Sequence, residues 1–567
     1  MNAERLLALF EPISEAPDAI PRLRRFILDL AVRGKLVEQD PEDEPAEELL
    51  NRVSADISDY QQTFNIRTYR EKGDSSSGPP FRLPSGWQWT RLSRVFRSIT
   101  DGDHQAPPRA DEGVPFLVIS DIRSGVIDYN GSRFVPALYY ESLDTARRPA
   151  IGDLLYTLVG SFGIPVVVRE ATPFCVQRHI GILRPSWLIP VDFLALLMDS
   201  MLVYKQASDI ATGIAQKTVP LGGLRSVRVP LPPLAEQHRI VAKVDELMAF
   251  CDQLEAARQQ REQCRERLVA ASLQRLNQLS QDSKAFRSDA RFALQVLPSL
   301  TTTPAQIKQL RQTILNLAMR GKLVEQDPED EPAEELLRCI AADRSLLQRT
   351  RGRLRNEEIK PIPSDLVPYE LPQSWKWARF GDIMYSRDGE RVPVSKDERS
   401  RRAKTYDYYG ASGVIDKIDG FLFDKPLLLI GEDGANLLNR STPIAFIARG
   451  KYWVNNHAHV LDGISEEFLR FIELTINATD LAPYVTGTAQ PKMNQAKMNS
   501  IPVALPPLAE QHRIVAKVDE LMALCDQLEK QLSQADQVRR GLLLAVLQEA
   551  LTEPDRALIA AARAFAA

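Results

Sequence analysis

Apolar residues recur at helical spacing near the start of each half of the chain. Leu23, Phe26, Ile27, Leu30 and Ala31 fall at i, i+3, i+4, i+7 and i+8, and Leu310, Thr313, Ile314, Leu317 and Ala318 take the same places. Such spacing paints one apolar stripe on an amphipathic helix. Two later stretches follow a heptad instead. Ile240, Val244, Leu247, Cys251 and Leu254 alternate steps of four and three, as do Ile514, Val518, Leu521, Cys525, Leu528 and Leu532, which is the pattern of a coiled-coil seam. The second seam runs on through Ala535, Leu542 and Val546 with a break at Arg539, whereas the first turns polar at Arg258, Arg261 and Arg265 before Leu268 restores it. The pattern predicts helices from Leu234 to Leu279 and from Leu508 to Leu551, the second ending before Pro554. Each would run about 65 to 70 Å at 1.5 Å per residue.

Between these helical stretches the pattern shortens. Apolar or alternating runs at Pro115–Ser120, Asp153–Leu158, Ile164–Val168, Leu427–Ile430 and Ile444–Ile447 lie between Gly, Pro and Asp breakers, as strands of small sheets do. Phe193–Tyr204 and Glu466–Ile476 have helical spacing. They place a helix near the end of each region, before the segments GIAQK (Gly213–Lys217) and GTAQPK (Gly487–Lys492).

A search for self-similarity explains the symmetry of this pattern. The string RGKLVEQDPEDEPAEELL occurs at Arg33–Leu50 and again at Arg320–Leu337, and LPPLAEQHRIVAKVDELMA occurs at Leu231–Ala249 and Leu505–Ala523. A weaker pair, LPSGWQW at Leu83–Trp89 and LPQSWKW at Leu371–Trp377, falls between them in the same order. From the tryptophan motif to LPPLAEQ the halves diverge almost completely. Near-identical frames around two dissimilar inserts, each of roughly domain size, point to one scaffold presenting two different recognition surfaces.

Composition adds bounds. With 567 residues, 44% hydrophobic and 26% charged, the chain is an ordinary folded type of roughly three to five domains. It has no apolar run long enough to span a membrane, and its amino terminus lacks a basic-then-apolar leader, so a cytoplasmic location is expected. The five cysteines form no CxxC pair, which favours reduced thiols over disulfides or a zinc cluster. Net charge is −4, yet Leu36–Asn51 and Leu323–Leu337 each hold seven acids and no base, so the rest of the chain carries +10. A mildly basic body with two acidic patches is still able to follow a phosphate backbone.

Candidate chemistry is that of binding. Gly34-Lys35 and Gly321-Lys322 lack the P-loop frame. The double prolines read GPPF, APPR and LPPL, without the Asn/Asp-Pro-Pro-aromatic motif of amino-methylating enzymes. His457 and His459 share a strand face but have no third metal ligand nearby in sequence, and no metal is expected. In the first insert the loop Thr100–Arg109 carries His104, Gln105 and Arg109, where Gln suits adenine and Arg suits guanine. In the second, Arg391–Lys404 holds Arg391, Lys396, Arg399, Arg401, Arg402 and Lys404 against two acids, followed by Tyr406, Tyr408 and Tyr409. Charge beside flat rings suits phosphates and bases. Gln216 and Lys217 in one half, and Gln490 and Lys492 in the other, occupy matching places and suggest shared backbone contacts. Scaffolding without DNA binding, or an unassigned enzyme activity, are the competing readings.

The duplicated leader, the LPxxWxW motif and the PLPPLAEQHRIVAKVDELM helix start together resemble the specificity subunit of type I restriction-modification systems over nearly the whole chain. The resemblance implies an α+β fold with two mixed α/β target-recognition domains. These would be separated by two long helices pairing as an antiparallel coiled coil, with an internal pseudo-twofold repeat. On this chain the parts are a helical leader at 1–78, recognition domain 1 at 79–232, a central long helix at 233–285, a second leader at 286–364, recognition domain 2 at 365–506 and a carboxy-terminal long helix at 507–567. It further implies a non-catalytic subunit that binds double-stranded DNA and recruits two methylation subunits and, where the system has them, restriction subunits. No cofactor is implied on this chain; S-adenosylmethionine would sit on the methylation subunit.

Overall fold

The computed structural model describes residues 15–66, 78–105, 107–213, 216–277, 283–350, 362–363, 367–487 and 490–552. The expected helix end at Leu279, the stop at Pro554 and the 364/365 boundary lie outside them, as do Ala106, Ile214, Ala215, Thr488 and Ala489. The chain forms two compact units, residues 1–260 with 535–567, and residues 261–534. No described helix is long and apolar enough to cross a membrane.

Each unit is built on the same frame. The leader helices are α1 (Ala19–Val32) and α3 (Pro304–Met319), and the long helices are α2 (Leu234–Leu276) and α4 (Leu508–Thr552). α3 starts on a capping box between Thr303 and Gln306 with Pro304 in its first turn. Both leaders stop at the repeated RGK. Gly34 and Gly321 take φ of +67° and +66°, and the next N–H, of Lys35 or Lys322, reaches back to Leu30 or Leu317 at 3.0 Å. That is a glycine helix stop, and it accounts for a string that superficially suggests phosphate binding. A Cβ at either glycine would meet Pro84 at 2.4 Å or Pro372 at 2.7 Å.

The other duplicated strings meet one another. The strand of the tryptophan motif, β1 (Gln88–Arg91), pairs antiparallel with β9 (Arg228–Leu231), and β10 (Lys376–Arg379) pairs in the same register with β19 (Pro502–Leu505). Each insert is thus closed at its base by a two-stranded ribbon. The LPPLAEQ motif then turns the chain into the long helix. There the Gln237 and Gln511 amides donate to Pro232 and Pro506 carbonyls at 2.9 Å. Trp87 Nε1 donates to Glu236 at 2.8 Å and Trp375 Nε1 to Glu510 at 2.9 Å, all four buried. Arg239 pairs with Asp43 and Arg513 with Asp330, each at 2.5 Å. Two of the fourteen strip acids therefore clamp the frame.

The stripe read as a coiled-coil seam is covered, along the first turns of each long helix, by its own unit. Ile240, Val244 and Cys251 are buried in one core with Ile27, Leu28 and Ala31 of α1, with Leu247 and Leu254 packed against it. Ile514, Val518 and Cys525 join Ile307 and Ile314 of α3, flanked by Leu521, Leu528 and Leu532. Arg24 bridges α1 to Asp252 and Glu255 at 2.7 Å, and Arg311 bridges α3 to Asp526 at 2.6 Å and Glu529 at 3.1 Å. A heptad stripe suits any long helix partner, and here that partner is the leader. The unit boundary falls inside both long helices. The end of α2 (Val269, Leu273, Leu276) packs on Ala293 and Leu297 of the second unit, while Leu543 and Val546 of α4 pack on Ala16 and Ala19 of the first.

The inserts diverge in sequence but not in fold. The remaining strands of the first are β2 (Phe96–Asp101), β3 (Val114–Leu117), β4 (Arg133–Val135), β5 (Leu154–Thr157), β6 (Pro165–Val167), β7 (Cys175–Val176) and β8 (Ile180–Pro185). The second has β11 (Tyr385–Ser386), β12 (Tyr406–Gly410), β13 (Gly413–Ile418), β14 (Phe423–Asp424), β15 (Leu427–Gly431), β16 (Ala445–Ala448), β17 (Lys451–Val454) and β18 (Ala458–Asp462). One sheet runs β2-β8-β5-β6 and its counterpart β11-β18-β15-β16. A second sheet, β4-β3-β7 or β13-β12-β17-β14, contains one parallel pair, β3 with β7 or β12 with β17. The expected helix at Glu466–Ile476 spans Glu466–Ala478. The one expected at Phe193–Tyr204 is two, Val191–Asp199 and Met201–Ile210, because Ser200 leaves helical geometry and caps the second.

Candidate nucleic-acid interface

Strand register places the same loops at the same sheet edge in both inserts. β5 and β8 end on the pair Thr157 and Ile180, and β15 and β18 on Gly431 and Ala458. Just beyond, Leu158 N–H donates to the His179 carbonyl and Glu432 N–H to that of His457, both at 2.9 Å. Asp101 lies across from Gly181. Continuing the β11–β18 ladder past Ser386 and Leu461, with Arg387 N–H on the Val460 carbonyl at 2.8 Å, brings Asp388 across from His459. TDGD (Thr100–Asp103) thus matches RDGE (Arg387–Glu390), and Gln177-Arg178-His179 matches Asn455-Asn456-His457.

The fourth loop corrects one sequence expectation. Gly160 N–H bonds the Lys217 carbonyl at 2.9 Å and Gly434 N–H the Pro491 carbonyl at 3.0 Å. Gln216 and Gln490 therefore correspond, but Lys217 matches Pro491 and Lys492 matches Thr218. Pro491 thus stands in register where the first insert has Lys217. All four polar side chains are exposed, although Lys492 also pairs with Glu432 at 3.2 Å.

In the first insert two of these loops, the one from Asp103 to Arg109 and the turn Gln177–His179, line an open cavity of about 430 Å³ together with β3 and β4. His104, Gln105 and Arg109 line it as a group, joined by Arg133, Gln177, Arg178 and His179, which lie too far off in sequence to have been grouped with them. The loop is held from beneath by Asp103. Its carboxylate accepts from Tyr139 Oη at 3.0 Å and Arg147 Nη1 at 3.4 Å, and these contacts outweigh its partial burial to keep its pKa below the ordinary value. His104 Nε2 lies 3.2 Å from Asp101. Burial and the charge of Arg178 depress His179, favouring its neutral form.

Gly102 zips the two loops together. A Cβ there would sit 1.9 Å from the Val176 carbonyl oxygen, and Asp103 bridges to Gln177 just beyond. Gly102→Ala is expected to lower stability by roughly 1 to 3 kcal/mol through forced separation of the backbones. Urea unfolding measures this; unchanged stability would refute the close approach.

In the second insert the basic run serves the fold more than the surface. Arg391 reaches Glu432 at 3.0 Å and the Ala458 carbonyl at 2.8 Å. Arg399 binds Asp416 at 3.0 Å over the Tyr408 ring, Arg402 binds Asp419 at 2.6 Å over Trp453, and Lys404 binds Asp416 at 2.8 Å. Hydrogen bonds from Lys404, the Lys417 backbone and Arg399 hold Asp416 well below the carboxylate range. Tyr408 is buried, and Tyr409 of the second sheet stacks on Phe446 of the first. Of the residues expected to meet DNA here, Lys396, Arg401 and Lys404 are exposed, while Arg399 is taken up by its ion pair with Asp416 and Tyr409 by the core between the two sheets.

The histidines diverge in the same way. His457 Nδ1 lies 2.7 Å from Asp433 at the surface, and His459 is buried with Nδ1 at 2.7 Å from Asp388 and Nε2 at 3.0 Å from the Met493 carbonyl. Among the described residues no group of His, Cys, Asp and Glu is arranged to hold a metal. Cys175, Cys251 and Cys525 are buried, Cys264 and Cys339 exposed, and none is in a disulfide.

The family model of the type I restriction modification DNA specificity domain matches residues 84–262 and again 372–535. The chain belongs to this family. Each match starts within a tryptophan motif and runs into a long helix, so the matched unit is the insert with its base ribbon and the first part of the long helix, without the leader. The type I restriction enzyme EcoEI specificity subunit of Escherichia coli is 29% identical over 94% of both chains, and the EcoAI specificity subunit of the same organism 28% identical over 94% of both. A solved HsdS subunit from Thermoanaerobacter tengcongensis covers 83% of this chain and 98% of its own at 18% identity, with a TM-score of 0.41. This type I specificity subunit thus has relatives over almost its full length.

Proposed function

We propose that this specificity subunit reads a bipartite DNA sequence, one half-site per insert, with residues 79–232 and 365–506 as the recognition domains. The observation that carries the reading is the matched pair of sheet edges, which present the same loops with different side chains. One frame then holds two readers of different sequence. Exposed cations and amides at those edges, Lys217, Gln216 and Gln490 among them, suit groove and phosphate contacts. Methylation subunits, two of them, and restriction subunits where the system has them, dock on the helical frame. The partner supplies adenine N6 methylation with S-adenosylmethionine, after taking the base out of the stack; this chain chooses the address.

The long helices are proposed to pair antiparallel and set the spacer. Supporting this, each begins in one unit and ends in the other. Exposed strip acids such as Glu38, Asp40, Glu42, Glu47 and Glu48 face away from DNA, toward basic surfaces of the partner subunits. Mapping methylated adenines in host DNA, with and without this chain, is expected to return one two-part sequence that disappears without it. Exchanging residues 79–232 for a different insert should alter one part alone. Methylation indifferent to the chain would overturn the proposal and favour a scaffold that binds no DNA.

A further inference from the structure

The structure assigns base reading to a turn that sequence reasoning passed over. We propose that Gln177 and Arg178, between β7 and β8, contact base edges of the half-site taken by the first insert, and that Asn456 does so at the matching place in the second. This rests on the reading of the inserts as DNA-recognition domains.

The turn has a rigid backbone and free side chains. Gln177 N–H donates to the Leu117 carbonyl at 2.9 Å, its carbonyl accepts from Ile180 N–H at 2.9 Å, and Asp103 bridges to it from the neighbouring loop. The Gly102 approach fixes that neighbour. Yet among the described residues the Gln177 and Asn456 amides have no hydrogen-bond partner, and Arg178 has only its Nε near His179 at 3.4 Å. Other arginines of the same inserts are anchored: Arg184 holds Asp153 at 2.7 Å, and Arg391 and Arg399 hold carboxylates. A side chain carried on a fixed backbone and left without a protein partner is preorganised for an outside one.

The surroundings narrow the partner. Gln177 and Arg178 face the 430 Å³ cavity with Gln105, Arg109 and Arg133. Its one acidic lining residue, Asp103, is engaged by Tyr139 and Arg147, so the wall facing outward is cationic and amide-rich. A planar amide pairs bidentately with adenine N6 and N7, and a guanidinium with guanine O6 and N7. Phosphate alone would need the charge and not the amide. The geometry therefore points to an A·T pair under Gln177 and a G·C pair under Arg178 in the first half-site, and to an A·T pair under Asn456 in the second.

The test uses the full chain in its assembled methylation complex, with methylated adenines mapped across a genome. Arg178→Ala and Arg178→Lys are each expected to reduce discrimination at one G·C position of the first half-site by roughly 5- to 150-fold. The lysine variant matters because it keeps the charge and loses the fork. Gln177→Ala should relax one A·T position of the same half-site, and Asn456→Ala one position of the other. The proposal is overturned if Arg178→Lys restores full discrimination, if the variants weaken methylation equally at all sequences, or if the recognised sequence is unchanged. If wild-type complex yields no sequence dependent on this chain, the recognition reading itself fails, which is a separate result.

Discussion

Asp388→Ala is expected to destabilise the second unit by about 3 to 5 kcal/mol, the cost of leaving a buried charge without its partner. Both ring nitrogens of buried His459 face acceptors, the Asp388 carboxylate and the Met493 carbonyl, an arrangement that favours the imidazolium, which donates at both. Burial alone would lower its pKa, but the hydrogen bond and charge of Asp388, with Glu432 behind it, raise it above the ordinary value. Burial likewise raises Asp388, and His459 and Arg391 more than reverse this. The signs fix the pH profile. A histidine raised on folding contributes stability below its ordinary pKa of about 6.5 and loses it as pH rises through the folded value. A depressed carboxylate loses its contribution as pH falls through its own folded value. The stability of the second unit read by chemical unfolding should therefore fall on the alkaline side above about pH 6.5, and His459→Gln should flatten that limb. An alkaline limb surviving in His459→Gln would refute the assignment.

Trp87→Phe and Trp375→Phe should each cost about 1 to 3 kcal/mol, in the unit that carries the change. The replacement keeps most of the ring and removes the indole donor from a buried carboxylate, leaving Gln39 at Glu236 and Gln326 at Glu510 to offset less of its desolvation. Burial pushes Glu236 and Glu510 above the ordinary carboxylate range, and the indole N–H works against that shift. The loss should accordingly be largest at neutral pH and shrink as acid protonates the glutamate. Hydrogen exchange reads the location: Trp87→Phe should expose amides of the β1–β9 ribbon and spare β10–β19. Equal exposure of both ribbons would contradict two separate clamps.

The frame was legible because it is written twice. Identical strings at Arg33 and Arg320, and at Leu231 and Leu505, show the duplication without any structure, and their periodicity places the long helices at their observed starts, Leu234 and Leu508. What the strings do was less legible. Periodicity does not distinguish a coiled-coil mate from a leader helix, since both ask for the same stripe, and Ile240 and Ile514 turned out to lie under α1 and α3. A single tryptophan and a single glutamate carry no signal of their mutual bond. In the inserts, the kinship of TDGD with RDGE rests on two shared letters, and that of Gln177-Arg178-His179 with Asn455-Asn456-His457 on one. Only strand register reveals it. The basic run at Arg391–Lys404 misled because net charge counts neighbours in sequence, while Asp416 and Asp419 answer it from β13 and the turn beyond.

The base ribbons carry one more consequence. Both ends of each insert leave through adjacent paired strands, so an insert that lost its internal order would remain a loop pinched shut at the neck. The entropy of such a loop grows only logarithmically with its length, and the clamp of tryptophan, glutamate, leader and long helix lies outside it. If partner subunits dock on the helical frame as proposed, a subunit with one ruined insert should still occupy the place of an intact one. In a cell holding both, the damaged copy would act as a competitor and not as a simple loss.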